Sequence, residues 1–262
     1  MNIGIIGYGA IGAALHRALT ETSHTVVGVL ARRQTEALTT RLRETVPVVT
    51  DLQSLLRLSP QIVVECAGHD ALRAYGASAL AAGAHLVVAS VGALADPALE
   101  AQLRGAAAQG GRLVIPSGAL GGLDALGAAV RAGLDEVSYT SRKAPSAWKG
   151  TKAEGLIDLE SVTSAAVFFE GTARRAALDF PQNANVVAAI ALAGVGFDRT
   201  RVRLMVDPAA TGNRHVVEAR GNFGDLSATV LARTLPENPK TSMLAPYSLV
   251  RAISNLADPV MV

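Results

Sequence analysis

Met1-Asn2-Ile3-Gly4-Ile5-Ile6-Gly7-Tyr8-Gly9-Ala10-Ile11-Gly12 decides the fold. A short apolar strand runs directly into Gly-x-Gly-x-x-Gly, and a helix-compatible run follows from Ala13 to Leu19. Each glycine has a task in this order. Gly7 permits the tight turn, Gly9 lets backbone approach a pyrophosphate, and Gly12 lets helix and strand pack closely. The helix start, with the N–H groups of Ala10, Ile11 and Gly12, then turns unpaired donors and a positive dipole end toward the phosphates. The pattern specifies a dinucleotide site.

Working outward, the spacing predicts strands at Asn2–Ile6, Thr25–Leu30, Ile62–Cys66, Leu86–Ser90 and Arg112–Pro116. Helical patterns separate them at Ile11–Leu19, Glu36–Arg43, Asp70–Ala82 and Pro97–Gln109. Strands that are apolar throughout and alternate with helices describe a parallel sheet covered on both faces, hence an α/β fold with a Rossmann-type domain over residues 1–120. Ligands in such sheets bind beyond the carboxyl ends of the strands. That places Ala67-Gly68-His69 and Val91-Gly92-Ala93 along the cofactor crevice, with Cys66 at the strand end beside them.

After Pro116 the texture changes. A glycine-rich stretch, Gly118 to Gly122, leads into a helical pattern at Leu123–Gly133. Alternating segments follow at Val137–Arg142, Val162–Phe169, Val202–Val206, His215–Ala219 and Ser227–Ala232, interrupted by a helix at Ala184–Ala193. Alternation with few helices predicts a second α+β domain, residues 121–240, around a mostly antiparallel sheet. Thr241–Leu256 reads as a helix, and residues 241–262 are expected to pack back onto the first domain.

Composition narrows the function. The 262 residues are 50% apolar and 18% charged, enough for two cores. A formal charge of +2 from scattered basic residues, with 4% aromatics, argues against nucleic acid as a partner. The lone Cys66 excludes an intramolecular disulfide framework and fits a reducing compartment. The first strand begins at once, so no secretory leader is expected, and the apolar runs are too short to span a bilayer. A cytoplasmic protein is the expectation. Five dispersed histidines and one cysteine give no metal constellation, and there is no Gly-x-Ser-x-Gly elbow for acyl transfer.

NAD-binding domains usually end their second strand on an acidic residue that binds the ribose hydroxyls. Here that strand ends Leu30-Ala31-Arg32-Arg33. Two adjacent guanidiniums suit a 2′-phosphate, so NADP(H) is expected to be accepted, with NAD(H) still usable.

Among the histidines, His16 and His24 read as surface residues and His85 as a structural one. His69 follows a strand end and lies near the cofactor or substrate. His215 closes Asp207-Pro208-Ala209-Ala210-Thr211-Gly212-Asn213-Arg214-His215 at the mouth of a second-domain strand. Its ordinary pKa, about 6.5, suits proton transfer near neutrality.

Longer segments carry a family signature. Glu65-Cys66-Ala67-Gly68-His69, Ser90-Val91-Gly92-Ala93-Leu94 and Ser117-Gly118-Ala119-Leu120-Gly121-Gly122 lie in the first half. Arg142-Lys143-Ala144-Pro145, Trp148-Lys149-Gly150-Thr151, Pro181-Gln182-Asn183-Ala184-Asn185, Asn213-x-His215 and Asn238-Pro239-Lys240-Thr241-Ser242 follow in order. With these the chain resembles the L-aspartate dehydrogenase family nearly end to end. The resemblance implies oxidative deamination of L-aspartate to oxaloacetate and ammonia through iminosuccinate, coupled to NAD(P)H formation. It maps the catalytic histidine onto His215 and the cofactor-contacting alanine and asparagine onto Ala119 and Asn185. Arg32-Arg33 departs from the acidic residue many relatives carry there.

A dicarboxylate substrate needs at least two cationic or N–H-rich anchors. Only Lys143, Lys149, Lys152 and Lys240 are lysines. Lys240, flanked by Thr241 and Ser242 at an expected helix start, is the first candidate; Lys143 is the second, although a solvated side chain is its commoner reading. The rival functions are reduction of a different imine or keto acid, and cofactor-dependent regulation without turnover. A homodimer is the expected assembly.

Overall fold

The structure, a computed structural model, describes residues 1–33, 35–42, 45–181, 183–236 and 238–261, with the side chains of residues 37, 41, 239 and 240 outside that description. The chain divides into two compact units, Met1–Pro116 with Ala245–Val262, and Ser117–Leu244.

The first unit is a six-stranded parallel sheet of order β3-β2-β1-β4-β5-β6. Its strands are β1 (Asn2–Ile6), β2 (Thr25–Leu30), β3 (Val48–Val49), β4 (Ile62–Glu65), β5 (His85–Val88) and β6 (Leu113–Val114). Helices α1 (Ala10–Leu19), α2 (Glu36–Arg41), α3 (Leu52–Arg57), α4 (His69–Ala81) and α5 (Pro97–Ala107) connect them. Local chemistry starts most of these helices. The Thr35 hydroxyl accepts from Leu38 N–H ahead of α2, Asp51 from Ser54 N–H ahead of α3, and Asp96 from Ala98 N–H ahead of α5, where Pro97 suits the first turn.

Ile3, Ile5, Val29, Ile62, Val64 and Val87 form the sheet side of the core, with Leu15 and Leu19 of α1 packed on it. Burying side chains of this size stabilises by about 1.5–3 kcal/mol each before entropy is counted. The last helix, α9 (Leu244–Ala257), adds Leu249, Ala252 and Ile253 to the same cluster.

β3 and α3 are additions to the elements expected from the sequence. Two valines carry no periodicity, and α3 spans only six residues. The predicted end of α2 at Arg43 lies outside the described residues.

The second unit is a five-stranded sheet, β11-β10-β7-β9-β8. It contains β7 (Leu134–Lys143), β8 (Ala166–Thr172), β9 (Arg201–Val206), β10 (Asn213–Gly221) and β11 (Gly224–Ala232). Only the β7–β9 pairing is parallel. Helices α6 (Leu123–Ala132), α7 (Ala173–Asp179) and α8 (Ala184–Ala193) complete it, with a small ladder of β12 (Thr234–Leu235) and β13 (Asn238–Ser242). β8 starts at Ala166 rather than Val162, because its ladder with β9 runs from Ala166 opposite Val206 to Thr172 opposite Arg201.

Along β7, Val137, Tyr139, Ser141 and Lys143 are buried while their neighbours are not. That is the two-residue period of a sheet with one covered face. The same face of β10 carries His215, Val217 and Ala219. It is apolar at one end and polar at the other.

Candidate active site

In the first unit, two helices begin at the carboxyl ends of neighbouring strands. Helix α1 follows β1 and α4 follows β4, where the strand order turns from β2-β1 to β4-β5. Their N-caps are Gly9 and Gly68, glycines with no side chain to cap the helix. The positive dipole end of each helix stands at a strand's carboxyl end.

Gly7 lies at φ +89°, and a Cβ there would stand 2.6 Å from the Ala67 Cβ. A Cβ on Gly12 would collide with the Gly7 carbonyl oxygen. At Gly9 a Cβ would meet no heavy atom within 4 Å. Two glycines thus close the turn, and the third keeps a face of backbone open. The residues present fit a dinucleotide pyrophosphate.

A residue with no role assigned from sequence ties this region together. Glu65, fully buried at the end of β4, accepts from Ala67 N–H and Gly68 N–H, each at 2.7 Å. It also accepts from Ser90 N–H at 3.0 Å and from the Ser90 hydroxyl at 3.1 Å. One carboxylate fixes the loops after β4 and β5. Burial pushes its pKa up, and these four bonds pull against that. The signal was an acidic residue ending an otherwise apolar strand. Beside it, burial and then the Glu65 charge raise the Cys66 thiol, which stays protonated. Arg32 and Arg33 are exposed just after β2.

In the second unit, β7, β10 and the start of α8 bring polar groups together inside the protein. His215 is 4% exposed and sits opposite Ser141 in the β7–β10 ladder. Its Nδ1 is 2.7 Å from the Tyr139 hydroxyl. Burial, then the charge of Lys143, holds the His215 pKa down to about 4. The imidazole is neutral at pH 7, whereas an unperturbed histidine was expected. Burial raises the Tyr139 pKa, so its hydroxyl keeps its proton.

Lys143 is 7% exposed, which overturns its reading as a solvated lysine. Strand alternation, continued two residues past Ser141, puts it on the covered face. Its Nζ donates to Asn183 Oδ1 at 2.7 Å and stands 4.8 Å from the Trp148 ring centroid. Burial brings its pKa down to about 8. Lys149 and Lys152 are different: each pairs with a carboxylate at the surface, Glu160 and Asp179.

The remaining candidates are dispersed. Ala119 is buried in a turn after Ser117, Asn185 is exposed in the first turn of α8, and His69 is the half-buried first residue of α4. The helix expected from Thr241 begins at Leu244, because residues 238–242 pair with β12 as a strand. The Thr241 hydroxyl accepts from Asn238 Nδ2, and the Ser242 hydroxyl accepts from Leu244 N–H. Lys240 lies on β13 rather than at a helix start, and its side chain lies outside the described residues.

His24 is buried, with Nδ1 3.4 Å from the Met1 amine, and not a surface residue; His16 is half-buried against the Tyr8 hydroxyl. His85 accepts from Arg112 N–H. Among the described residues no group of three His, Cys, Asp or Glu could hold a metal ion, and no helix is long and apolar enough to cross a membrane.

A glycine cradle at the switch point of a 3-2-1-4-5-6 sheet, in one chain with buried groups fit for proton transfer, is the organisation of a nicotinamide-dependent dehydrogenase. Two family models match: the homoserine dehydrogenase NAD-binding domain over residues 7–116, and the aspartate dehydrogenase C-terminal domain over residues 124–256. L-Aspartate dehydrogenases of Cupriavidus taiwanensis and Pseudomonas aeruginosa are 45% and 44% identical, each aligned over 100% of both chains. The crystal structure of aspartate dehydrogenase from Thermotoga maritima superposes with a TM-score of 0.77 at 27% identity, covering 100% of this chain and 99% of that one. The chain belongs to the L-aspartate dehydrogenase family, and uses NAD(P).

Proposed function

We propose that the protein interconverts L-aspartate and oxaloacetate plus ammonia through iminosuccinate, with His215 as the acid–base group. The observation that carries this reading is a buried, neutral imidazole whose Nδ1 is engaged by Tyr139, on the covered face that also holds Lys143. Donation of Nδ1–H to the Tyr139 oxygen leaves the Nε2 lone pair to accept a proton from the water that attacks iminosuccinate. In the amination direction the protonated Nε2 returns it. Fixing the ring in advance supplies part of the rate enhancement, because the base needs no reorientation in the transition state.

The nicotinamide, when bound, supplies hydride transfer at its C4. Gly7, Gly9, Ala10, Ile11 and Gly12 hold the pyrophosphate, and Cys66, Ala67 and Gly68 line the same region. Ala119 and Asn185 contact the cofactor, as the family signature implies. Arg32 and Arg33 receive a 2′-phosphate, so we assign NADP(H) as accepted alongside NAD(H). We also assign a cytoplasmic site of action, on the single cysteine, and a homodimer formed through the second unit.

Initial rates at 340 nm with oxaloacetate and ammonium, comparing NADPH with NADH, test the reading. Oxidation that requires both substrates supports it. No oxidation with either cofactor, from protein that binds NADPH, overturns it.

A further inference from the structure

Two features of the second unit are unexplained by proton transfer at His215. Lys143 is a buried cation, and among the described residues no carboxylate pairs with it; its hydrogen-bond partner is the neutral Asn183. Asn183 is 1% exposed and its Nδ2 has no hydrogen-bond partner among the described residues. Buried cations and buried amide donors without acceptors are each costly, and folded proteins rarely keep both in one place.

The amide orientation is settled by chemistry. A lysine ammonium only donates, so the Asn183 atom 2.7 Å from Lys143 Nζ has to be the oxygen. The Ser141 hydroxyl, 3.4 Å from the same oxygen, is consistent with that. The NH₂ group is therefore the end of the amide that neither Lys143 nor Ser141 engages. Asn183 also N-caps the ten-residue α8 without a side-chain capping bond, so the first-turn N–H groups of that helix begin beside it.

Resting on the proposed function above, we propose that Lys143 and Asn183 together bind one carboxylate of the dicarboxylate substrate, with Asn183 Nδ2 and Lys143 Nζ as the donors. Lys143 provides the charge and fixes the amide; Asn183 provides a directed hydrogen bond. Lys143 sits on the covered face that carries His215, whose partner Ser141 in the ladder lies two residues before it, and Asn183 reaches Lys143 from the start of α8. Burial is the larger cause of the depressed His215 pKa and the Lys143 charge the smaller; a carboxylate bound there would offset the smaller one and raise the basicity of His215 by that part.

Asn183→Asp tests this with little change of shape. It places a built-in carboxylate beside Lys143 and repels an incoming one. The NADPH-loaded protein is titrated with succinate, an unreactive dicarboxylate, by calorimetry, and the KM for oxaloacetate is measured in parallel. The expected result is loss of succinate binding and a KM for oxaloacetate raised at least tenfold, with NADPH affinity and melting temperature preserved. Lys143→Met should also abolish succinate binding, whereas Asn183→Ala should weaken it.

Succinate affinity and oxaloacetate KM within twofold of wild type in Asn183→Asp would overturn the subsite while leaving the aspartate reaction standing. A wild-type protein that binds succinate in an Asn183-dependent way yet does not turn over oxaloacetate would support the subsite and overturn the reaction. A wild-type protein that binds no succinate would overturn the subsite.

Discussion

The Tyr139 hydroxyl stands 2.7 Å from His215 Nδ1, and the two rings lie nearly parallel, 10° apart, with centroids at 6.0 Å. Adjacent strands impose this arrangement: Tyr139 pairs with Val217 and Ser141 with His215, so the two rings project from the same covered face one diagonal step apart. Tyr139→Phe keeps the ring and removes the hydrogen bond. With the imidazole tautomer no longer fixed, kcat should fall about 10–100-fold, the scale of a partly lost general-base contribution, with the KM for NADPH unchanged. Steady-state kinetics of the purified variant decide it; an unchanged kcat would show that the bond does not position the base.

Lys143 makes stability depend on pH in a calculable direction. Its pKa falls from 10.5 unfolded to about 8 folded, because burial disfavours the charged form. Between those values the unfolded chain holds a proton that the folded chain has released, so this residue adds stability as pH rises. The cost at neutral pH is on the order of 3 kcal/mol, and it disappears toward pH 10.5. Urea unfolding of wild type and Lys143→Met at pH 7 and pH 10 should show the difference moving by about 2–3 kcal/mol in favour of wild type at the higher pH. A pH-independent difference would mean that Lys143 is not desolvated.

Glu65 should matter to cofactor binding without touching the cofactor. Glu65→Gln substitutes an NH₂ group where Ala67, Gly68 and Ser90 all present donors. Two donors then face each other in a buried site. Stability should drop by about 1–3 kcal/mol, with a weaker NADPH Kd as the two loops loosen. Thermal unfolding and fluorescence titration with NADPH provide the two readouts, and normal values in both would remove Glu65 from the account.

Arg32 and Arg33 discriminate between the two dinucleotides only if they read the 2′-phosphate. Neutralising both should lower affinity for NADPH about tenfold or more while sparing NADH, since each charge-assisted bond lost contributes roughly 1.5–3 kcal/mol where it is well formed. Equal losses for both cofactors would contradict that role.

How far the sequence reached is clearest at particular residues. The nucleotide-binding half was legible because local chemistry and long-range geometry agree there: Gly7 takes a positive φ and packs on Ala67 of the next loop, and Gly12 closes on the Gly7 carbonyl. The 48–57 segment was not, since a two-residue strand has no period to read. At 238–242 the helix-start reading failed because pairing with Thr234–Leu235, a tertiary event, recruits these residues as a strand. His215 stands out in the sequence by its motif, but its depressed pKa comes from burial and then from Lys143, 72 positions away in sequence, and so from the pairing of distant strands. Lys143 completes the alternation Val137, Tyr139, Ser141, and that pattern was present in the sequence. Asn183 and Asn185 look alike as letters, yet one is buried and the other exposed.

The most direct test of the central claim is His215→Ala, assayed for oxaloacetate- and ammonium-dependent oxidation of NADPH alongside NADPH affinity measured by fluorescence titration. The expected result is a kcat reduced about 100-fold or more, the scale of general acid–base catalysis, with NADPH affinity within twofold of wild type. Turnover retained near the wild-type rate would contradict the assignment of His215 as the proton-transferring group.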